Sequence, residues 1–286
     1  MTRPIHIALT LDDGFWAPAY ATMRSVALAS RERENLVFHA IHSGLTAAHR
    51  RQLDKLAAEF PVALDHLDLA GQPDYADLVR RLPVRFAYSP VIYARLLLDL
   101  LLPQVSRIVY LDSDLLVRGP IEELYDLDLG GHAIAAVMDP HRHRAMLGRD
   151  FRLNGDLFDY RQAYFNSGVM VIDNARYAAA RLPELMQRLE ASGTMARIQF
   201  DQAALNIAFR DQWLPLDFRW NLINPHPAHE ALEPHIVHYT GPNKPWHLMS
   251  RTAFAQAYRH TMTNDFFYAY WRERQLRRLR RPFGRG

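Results

Sequence analysis

Short apolar runs alternate with helical patterns through the first part of the chain. Thr46 stands where it would cap the second of the predicted helices, and Ser89 followed by Pro90 would open the third. Such an alternation predicts an α/β fold with a mostly parallel sheet and helices on both faces. The apolar runs predict strands at residues 5–11, 36–41, 62–67 and 108–111, and the patterns between them predict helices at residues 18–30, 46–59 and 89–102.

The pattern is less regular in the second half of the chain. Residues 141–159 are polar and arginine-rich without a period, which predicts a loop or lid. Since no repeat or low-complexity linker interrupts the chain, we expect one domain over residues 1–262, followed by a basic aromatic tail at residues 263–286. Strands are predicted at residues 133–137, 168–172 and 235–239, and helices at residues 182–191 and 199–209.

Composition narrows the class of protein. The 286 residues are 49% apolar and 23% charged, which is ordinary for a globular protein that buries a full core. Because cysteine is absent, disulfide scaffolds and cysteine-ligated zinc sites are excluded. The first residues lack the pattern of a signal peptide and no apolar stretch approaches the length of a membrane span, so we expect a cytoplasmic protein.

Positive charge is concentrated near the C-terminus. The net charge of the chain is +3, but residues 272–285 contain seven arginines and one glutamate, which leaves about −3 for the rest. On a helical wheel Tyr268, Trp271, Leu276 and Leu279 share one side. Aromatic and leucine side chains beside arginines favour a helix on an anionic membrane surface, with a solvated tail or RNA binding as alternatives.

Two carboxylates follow the strand predicted at residues 108–111. Asp112 and Asp114 are two apart, so in an extended chain both side chains point to the same side. Bare charges are costly to bury, and a divalent cation is the usual counter-charge for closely spaced carboxylates. An exposed turn with two acids is the alternative. Asp12 and Asp13 also end a strand, and because ligands bind beyond the carboxyl ends of parallel strands, we expect one crevice to hold both pairs.

A second group of candidate binding residues lies at residues 238–247. His238 suits Mn²⁺ better than Mg²⁺, because imidazole is a poor ligand for the harder ion. Gly241 lets the backbone approach a ligand, Lys244 supplies a point charge for a phosphate, and Trp246 can wall a sugar face. A histidine on a strand is by itself more often a core residue, but these neighbours favour a binding site.

Together these segments resemble glycosyltransferase family 8, and most closely its bacterial lipopolysaccharide α-galactosyltransferases. The resemblance implies the GT-A nucleotide-diphospho-sugar transferase fold, with Mn²⁺, or Mg²⁺ as the alternative, bound by an Asp-x-Asp pair and a late histidine. It also implies retaining transfer of galactose or glucose from a UDP-sugar to a saccharide or glycolipid acceptor, for which we expect a lipopolysaccharide core. Such an acceptor implies work at the inner face of the bacterial inner membrane. The mildly acidic body of the chain argues against a nucleic-acid partner. The matching pieces stand in the family's order at residues 10–13, 93–95, 110–114, 139, 164–168, 201–202 and 238–247.

The resemblance also assigns roles by position. The metal would be held on the donor diphosphate by Asp112, Asp114 and His238. Contacts with the donor nucleotide or its sugar are implied for Thr10, Asp12, Phe15, Arg95, Asp112, Ser113, Asn166, Gly241 and Lys244. The catalytic centre around the transferred hexose would contain Asp139, Asp201 and Gln202, with Asn166 beside them.

Gln202 occupies the place opposite the anomeric carbon in such enzymes. Because an amide is a poor nucleophile, front-face attack within a short-lived ion pair is favoured over a covalent intermediate, with Asp201 as the alternative nucleophile. After the first aspartate pair the close relatives carry Asn-Tyr, whereas this chain carries Gly14 and Phe15. Phe15 can still stack on a uracil, but the polar side chain that would face the ribose is lost.

Other interpretations of the same residues stay open. Arg95 could lie on an exposed helix surface, Asp139 could form a turn, and Asn166 and residues 201–202 could cap helices. The segment around Asp112 also looks like the signature of haloacid-dehalogenase phosphatases, in which the first aspartate is the nucleophile. That signature usually stands near the N-terminus, and here a hundred residues precede it. A catalytically inactive sugar-nucleotide-binding paralogue is the remaining alternative.

Overall fold

A seven-stranded sheet forms the centre of the protein. The computed structural model describes residues 3–81, 89–140, 157–158, 162–198 and 200–280. The sheet runs in the order β3-β2-β1-β4-β7-β6-β8, and a small second sheet runs β5-β10-β9. Strands in the described residues are β1 (Ile5–Asp12), β2 (Leu36–Ser43), β3 (Ala63–Asp68), β4 (Arg107–Leu111), β5 (Leu115–Val117), β6 (Ile134–Met138), β7 (Phe165–Asp173), β8 (Trp213–Leu216), β9 (Leu222–Ile223) and β10 (Ile236–His238).

Helices cover both faces of this sheet. A 3₁₀ helix at Pro90–Leu97 directly precedes the short α-helix at Leu98–Leu101. The α-helices of the described residues are α1 (Trp16–Ala29), α2 (Ala47–Leu53), α3 (Lys55–Glu59), α4 (Pro73–Arg81), α5 (Leu98–Leu101), α6 (Ile121–Tyr125), α7 (Asn174–Ala179), α8 (Leu182–Ala191), α9 (Phe200–Ala208), α10 (Ala255–Met262) and α11 (Asn264–Arg280).

The alternation of side chains along the central strands explains the two-sided core. In β4, Val109 and Leu111 face one buried cluster, shared with α1, α10 and α11, while Tyr110 faces a second cluster on the other side of the sheet. Strand β7 pairs antiparallel with β4 and β6, and the remaining pairs of the large sheet are parallel. The predicted α/β class with a mostly parallel sheet is therefore confirmed.

The predicted helix cap is confirmed at Thr46 and wrong at Ser89. The Thr46 hydroxyl accepts a hydrogen bond from the His49 backbone N–H over 3.2 Å, as a cap should. The helix predicted at residues 89–102 is instead the 3₁₀ helix followed by the short α5, and Ser89 makes no side-chain capping bond. Residues three apart eclipse in a 3₁₀ helix, so Ile92 and Arg95 share one side, where both border the cavity described below.

Two further predictions change in the structure. Strand β7 begins at Phe165, three residues before the predicted start, so Asn166 lies in a strand and the helix-cap interpretation of Asn166 is wrong. The helix predicted at residues 46–59 is divided at Asp54 into α2 and α3. The predicted lid at residues 141–159 lies outside the described residues, apart from residues 157–158.

Helix α11 contains most of the predicted basic tail. Its side chains Phe266, Phe267 and Tyr270 are buried in the core, whereas Tyr268 and Leu279 on its outer side are exposed. The assignment of residues 263–286 to a separate tail stays a prediction, but the inner side of this helix is part of the main core. Among the helices of the described ranges, none has the length and apolar character needed to cross a lipid bilayer.

Candidate active site

A cavity of about 550 Å³ opens beyond the carboxyl ends of β1 and β4. These strands are parallel neighbours, with Leu9 opposite Leu111, so both end at the same edge of the sheet. The predicted crevice is present for Asp12, Asp112 and Asp114, whereas Asp13 does not line it. Of the residues predicted to bind the donor or metal, those lining the cavity are Thr10, Asp12, Phe15, Arg95, Asp112, Ser113, Asp114, Gly241 and Lys244.

His238 reaches the two carboxylates through the small sheet. The Thr22 hydroxyl of α1 bonds both backbone groups of Leu115 over 3.1 Å, which fixes β5 directly after Asp114. Strand β10 pairs antiparallel with β5 and places His238 opposite Leu115. His238 Nε2 consequently lies 3.5 Å from Asp112 Oδ2 and 3.3 Å from Asp114 Oδ1. These three ligand atoms lie within 4.8 Å of one another, as one bound cation would require.

Each carboxylate uses one oxygen for a positively charged side chain and turns the other toward His238. Asp112 Oδ1 accepts from Arg95 Nη2 over 2.7 Å, and Asp114 Oδ2 accepts from Lys244 Nζ over 2.6 Å. Burial alone would raise the pKa of Asp114, but Lys244 and His238 outweigh it and hold the pKa well below its ordinary value. Asp114 is therefore ionised at neutral pH.

Hydrogen-bond polarity shows which nitrogen of His238 is available. The Gly168 backbone N–H donates to Asn166 Oδ1 over 3.0 Å, which fixes that atom as an acceptor. Asn221 Nδ2 donates to the same oxygen over 2.9 Å, so Asn221 Oδ1 faces His238 Nδ1, 3.0 Å away, and accepts its proton. With its proton on Nδ1, an imidazole that binds a cation presents the lone pair of Nε2. Three lone pairs converge between Asp112, Asp114 and His238, and this set fits a divalent cation.

Gly168 makes room for this arrangement. A Cβ at this position would lie 2.2 Å from His238 Cε1 and 2.7 Å from Asp112 Oδ2, distances at which something must shift. The backbone also approaches closely, because the Asp112 N–H donates to the Gly168 carbonyl over 2.8 Å. A glycine inside a strand often marks such a close approach, and this signal was available in the sequence.

Arg95 is buried between two aspartates, so the exposed-helix interpretation is wrong. Its Nε lies 2.9 Å from Asp201 Oδ2, in addition to the Nη2 contact with Asp112, and its guanidinium lies 4.7 Å from the centre of the Tyr110 ring. Burial would lower the pKa of Arg95, but the two carboxylates raise it above its ordinary value. Burial raises the pKa of Asp201, and Arg95 only partly opposes this. Arg95 thus stays charged and already has two partners.

Of the four residues predicted to meet the hexose, Asp139, Asn166 and Gln202 form one hydrogen-bond network, whereas Asp201 pairs with Arg95 instead. Gln202 Oε1 accepts from Asn166 Nδ2 and from the Ser167 backbone N–H, both over 3.1 Å. Gln202 Nε2 and Asn166 Nδ2 donate to Asp139 Oδ2 over 3.1 and 3.2 Å. The backbone donor of Ser167 fixes which end of Gln202 is the oxygen. This network continues through Asn166 and Asn221 to His238.

Among the predicted nucleotide-binding residues of β1 and the following loop, Asp12 ends the strand and Phe15 lies in the loop, whereas Thr10 is buried. Asp12 Oδ1 accepts from the Gly14 backbone N–H over 2.8 Å, and the Phe15 ring meets the edge of Trp246 with centroids 5.9 Å apart. Thr10 is buried and donates to Tyr110 Oη over 2.8 Å, since the Tyr110 proton is given to Asp112 over 3.1 Å. Thr10 therefore lies at the cavity floor and supports Asp112 through Tyr110.

Two asparagines near the site, Asn221 and Asn224, were not identified from the sequence. Asn221 is buried and connects His238 with Asn166, as described above. Asn224 lies beside Gly241, where an added Cβ would come within 2.6 Å of Asn224 Oδ1. The bare backbone of Gly241 thus accommodates a neighbouring side chain of the protein. A polar residue directly before the short apolar run of β9 was the one available signal for Asn221.

The family model described as "Glycosyl transferase family 8" matches residues 6–250. This span contains every candidate site residue named above. The chain belongs to glycosyltransferase family 8. The predicted family is confirmed, the protein is a glycosyltransferase, and the phosphatase alternative is set aside.

Three relatives illustrate the range of the family. General stress protein A of Bacillus subtilis (strain 168) is 25% identical over 285 residues, covering 93% of this chain and 94% of that protein. Probable galacturonosyltransferase-like 3 of Arabidopsis thaliana is 30% identical over 272 residues, covering 85% of this chain and 74% of that protein. The crystal structure of galactosyltransferase LgtC with donor and acceptor sugar analogues has a TM-score of 0.74 at 23% identity, covering 90% of this chain and 95% of LgtC. The likeness to LgtC shows a common fold, and the predicted GT-A fold is confirmed.

Proposed function

We propose that this protein is a retaining, metal-dependent hexosyltransferase that moves galactose or glucose from a UDP-sugar to a saccharide acceptor. The observation that carries the proposal is the convergence of Asp112 Oδ2, Asp114 Oδ1 and His238 Nε2 at the carboxyl edge of the sheet. Family membership supports sugar transfer, and the imidazole favours Mn²⁺ over Mg²⁺. When bound there, the cation would neutralise the donor diphosphate and stabilise the charge that develops on departing UDP.

The lining of the cavity suggests how a UDP-hexose would lie. The uracil would meet Asp12 and Phe15, and the diphosphate would lie near Gly241 and Lys244. The hexose would then extend toward Asn166 and the Asp139–Gln202 pair. A cavity of about 550 Å³ has the size of a typical small-molecule site.

The charges around the hexose end favour a neutral sugar. Arg95, a buried cation near this end of the cavity, is already paired with Asp112 and Asp201. A uronic acid would bring its own carboxylate beside these two carboxylates, where like charges repel. We therefore favour galactose or glucose over galacturonic acid, although one relative is named as a galacturonosyltransferase.

Hydrogen bonding around Gln202 supports front-face attack. Gln202 Oε1 already accepts from Asn166 and Ser167, and Asp201 Oδ2 is paired with Arg95, which makes both side chains weaker nucleophiles. The anomeric carbon would lose its bond to the β-phosphate oxygen while the acceptor hydroxyl adds to the same face. The hydroxyl proton passes to the departing phosphate oxygen, and Lys244 stabilises the negative charge of the leaving group.

The acceptor and the cell location form the remaining part of the proposal. We favour a lipopolysaccharide core as acceptor, reached by an enzyme that contacts the cytoplasmic face of the inner membrane. The exposed Tyr268, Leu276 and Leu279 of α11, together with its arginines, support contact with anionic lipid. Replacing Leu276 and Leu279 together by glutamine should reduce sedimentation with vesicles of phosphatidylglycerol and phosphatidylcholine; unchanged sedimentation would refute membrane contact through this helix.

A donor screen tests the proposed activity. UDP release is measured with Mn²⁺ from UDP-galactose, UDP-glucose and UDP-galacturonic acid, with a simple phosphomonoester as the phosphatase probe. We expect slow hydrolysis of one donor whose hexose is neutral, UDP-galactose or UDP-glucose. This hydrolysis should be lost in Asp114→Asn but kept in the exposed control Asp211→Asn. Tight Mn²⁺-dependent UDP binding without release from any donor would indicate the inactive paralogue, and phosphomonoester hydrolysis would overturn the proposal.

A further inference from the structure

Helix α11 contacts both loops that border the proposed nucleotide end of the cavity. The first loop, residues 12–15, begins at the end of β1 and carries the cavity-lining Asp12 and Phe15. The second loop, residues 241–247, carries the cavity-lining Lys244 and also Trp246, which packs against Phe15. Tyr270 Oη donates to the Gly14 carbonyl of the first loop over 2.8 Å. The same ring lies 6.4 Å from the Trp246 ring of the second loop, measured between centroids.

Charged residues extend these contacts along one side of the helix. Arg277 Nη2 donates to both the backbone oxygen and the Oδ2 atom of Asp13 over 3.2 Å. Arg274 Nη2 lies 3.1 Å from His247 Nε2 in the second loop. Glu273 Oε2 accepts a hydrogen bond over 2.9 Å from Nε1 of Trp16, the residue that directly follows the first loop. Three successive turns of α11 therefore hold the two loops.

Asp13, His49 and Glu273 are close enough to suggest a second metal site, but their atoms are already engaged. Asp13 Oδ1 accepts from the Thr46 backbone N–H over 2.8 Å and lies 2.6 Å from His49 Nδ1. Arg277 pairs with both carboxylates. This group is an ion-pair network that joins α11 and α2 to the first loop.

The helix is itself held firmly at its beginning. Phe266 packs on Tyr20 and Trp16, with ring centroids 4.3 and 5.4 Å away, and all three are buried. Gly14 also fits closely beneath it, because a Cβ there would lie 3.0 Å from Arg277 Nη1 and 3.0 Å from Asp12 Oδ1. A loop fixed against a packed helix loses less conformational entropy when it binds a ligand.

We propose that α11 is a positioning element of the donor site: it holds the first loop against the second, so that the nucleoside enters a preformed cleft. This inference rests on the proposed function, because it concerns how the nucleotide of the donor is bound. The metal-ligand candidates lie on β10 and directly after β4, so α11 governs affinity for the nucleoside and not for the metal. Tyr270 acts through Gly14 and contacts no substrate.

Tyr270→Phe tests this role by removing one hydroxyl. Titration calorimetry with Mn²⁺ present should show UDP and UMP both binding about 3- to 10-fold more weakly, as expected for one lost hydrogen bond. Mn²⁺ affinity measured alone should stay at the wild-type value, which general loss of structure would not allow. The matched control is Tyr268→Phe, an exposed tyrosine on the same helix, which should bind as wild type.

A second pair keeps the test independent of how well the tyrosine variant folds. Arg277→Gln should weaken UDP binding, while Arg278→Gln, which makes the same charge change at an exposed neighbour, should not. Wild-type protein that binds no UDP with Mn²⁺ would contradict the proposed function. Wild type that binds UDP while Tyr270→Phe and Arg277→Gln bind it equally well would overturn this inference alone.

Discussion

Asn221 Nδ2 donates to Asn166 Oδ1 over 2.9 Å, and through this bond the metal-ligand candidates and the proposed hexose site belong to one network. On its other side Asn221 faces His238, and Asn166 in turn contacts Gln202 and Asp139. Two backbone N–H groups, of residues 167 and 168, fix the direction of every bond in this chain. The orientation of the His238 ring is therefore set by groups that never touch the metal.

Asn221→Leu should weaken metal binding, because it removes the acceptor that holds the His238 Nδ1 proton. We expect Mn²⁺ affinity to fall by about 10- to 100-fold, the usual effect of losing the outer partner of a metal-bound histidine. Asn221→Asp retains an acceptor beside His238 and should keep most of the affinity while losing the bond to Asn166. Electron paramagnetic resonance of free Mn²⁺ measures both, and a leucine variant with wild-type affinity would contradict the proposed role.

Gly168→Ala should remove the metal site. The added Cβ would displace His238 or Asp112, since it would lie 2.2 and 2.7 Å from their atoms. We expect Mn²⁺-dependent UDP binding to be lost. Gly71→Ala is the control, because a Cβ there meets nothing within 4 Å, and it should bind UDP normally. Normal UDP binding by both variants would show that the close contact is not needed.

Lys244→Gln should lower the rate of sugar transfer in a variant that still folds. The ammonium group would stabilise the leaving diphosphate, and loss of one such group typically lowers kcat by about 100- to 1,000-fold. The chain has one other lysine, Lys55, which lies over the Phe266 ring away from the cavity. Lys55→Gln should retain wild-type kcat at saturating donor. Equal kcat values for the two variants would exclude a role of Lys244 in leaving-group stabilisation.

Stability should decrease in mildly acidic solution because His39 is buried. Burial, and next His6, lower the pKa of His39 to about 4, although Asp65 opposes this. Between pH 6.5 and about 4 the unfolded chain binds a proton that the folded chain does not, so the free energy of unfolding falls as the pH falls through this window. Above pH 6.5 His39 makes no such contribution.

Urea unfolding at pH 7.5 and pH 5 measures this effect. The contribution of His39 to the difference is about 2 kcal/mol. His39→Gln should reduce the difference by that amount, whereas His260→Gln, at an exposed position, should leave it unchanged. An identical pH dependence in the wild type and the His39 variant would contradict the assignment.

The sequence was informative where signals are local. Asp112 and Asp114 were identifiable because they directly follow an apolar run, and Lys244 stood out because lysine is rare in this chain. The contact of Asn221 with His238 could not be predicted from the sequence, because it depends on the pairing of β9 with β10. This pairing puts Ile223 beside His238. Such register is decided by tertiary packing and leaves no periodic pattern.

The C-terminal helix shows a different reason for a missed feature. Phe266 and Tyr270 are four apart and define the inner side of α11, which packs on α1. The wheel drawn through Tyr268, Trp271, Leu276 and Leu279 instead selects the outer side, where Trp271 is half-buried and the other three are exposed. The dense arginines made the segment resemble an appendage, and the contact of Tyr270 with Gly14 joins residues 256 apart, beyond any local signal.

The most direct test of the account is calorimetric titration of UDP into the wild-type protein, once with Mn²⁺ and once with a chelator. If Asp112, Asp114 and His238 hold a cation that binds the diphosphate, UDP should bind with Mn²⁺ and lose most of its affinity in the chelator. The same loss should appear in Asp112→Asn with Mn²⁺ present. UDP binding of equal strength in chelator and in Mn²⁺ would contradict the central claim.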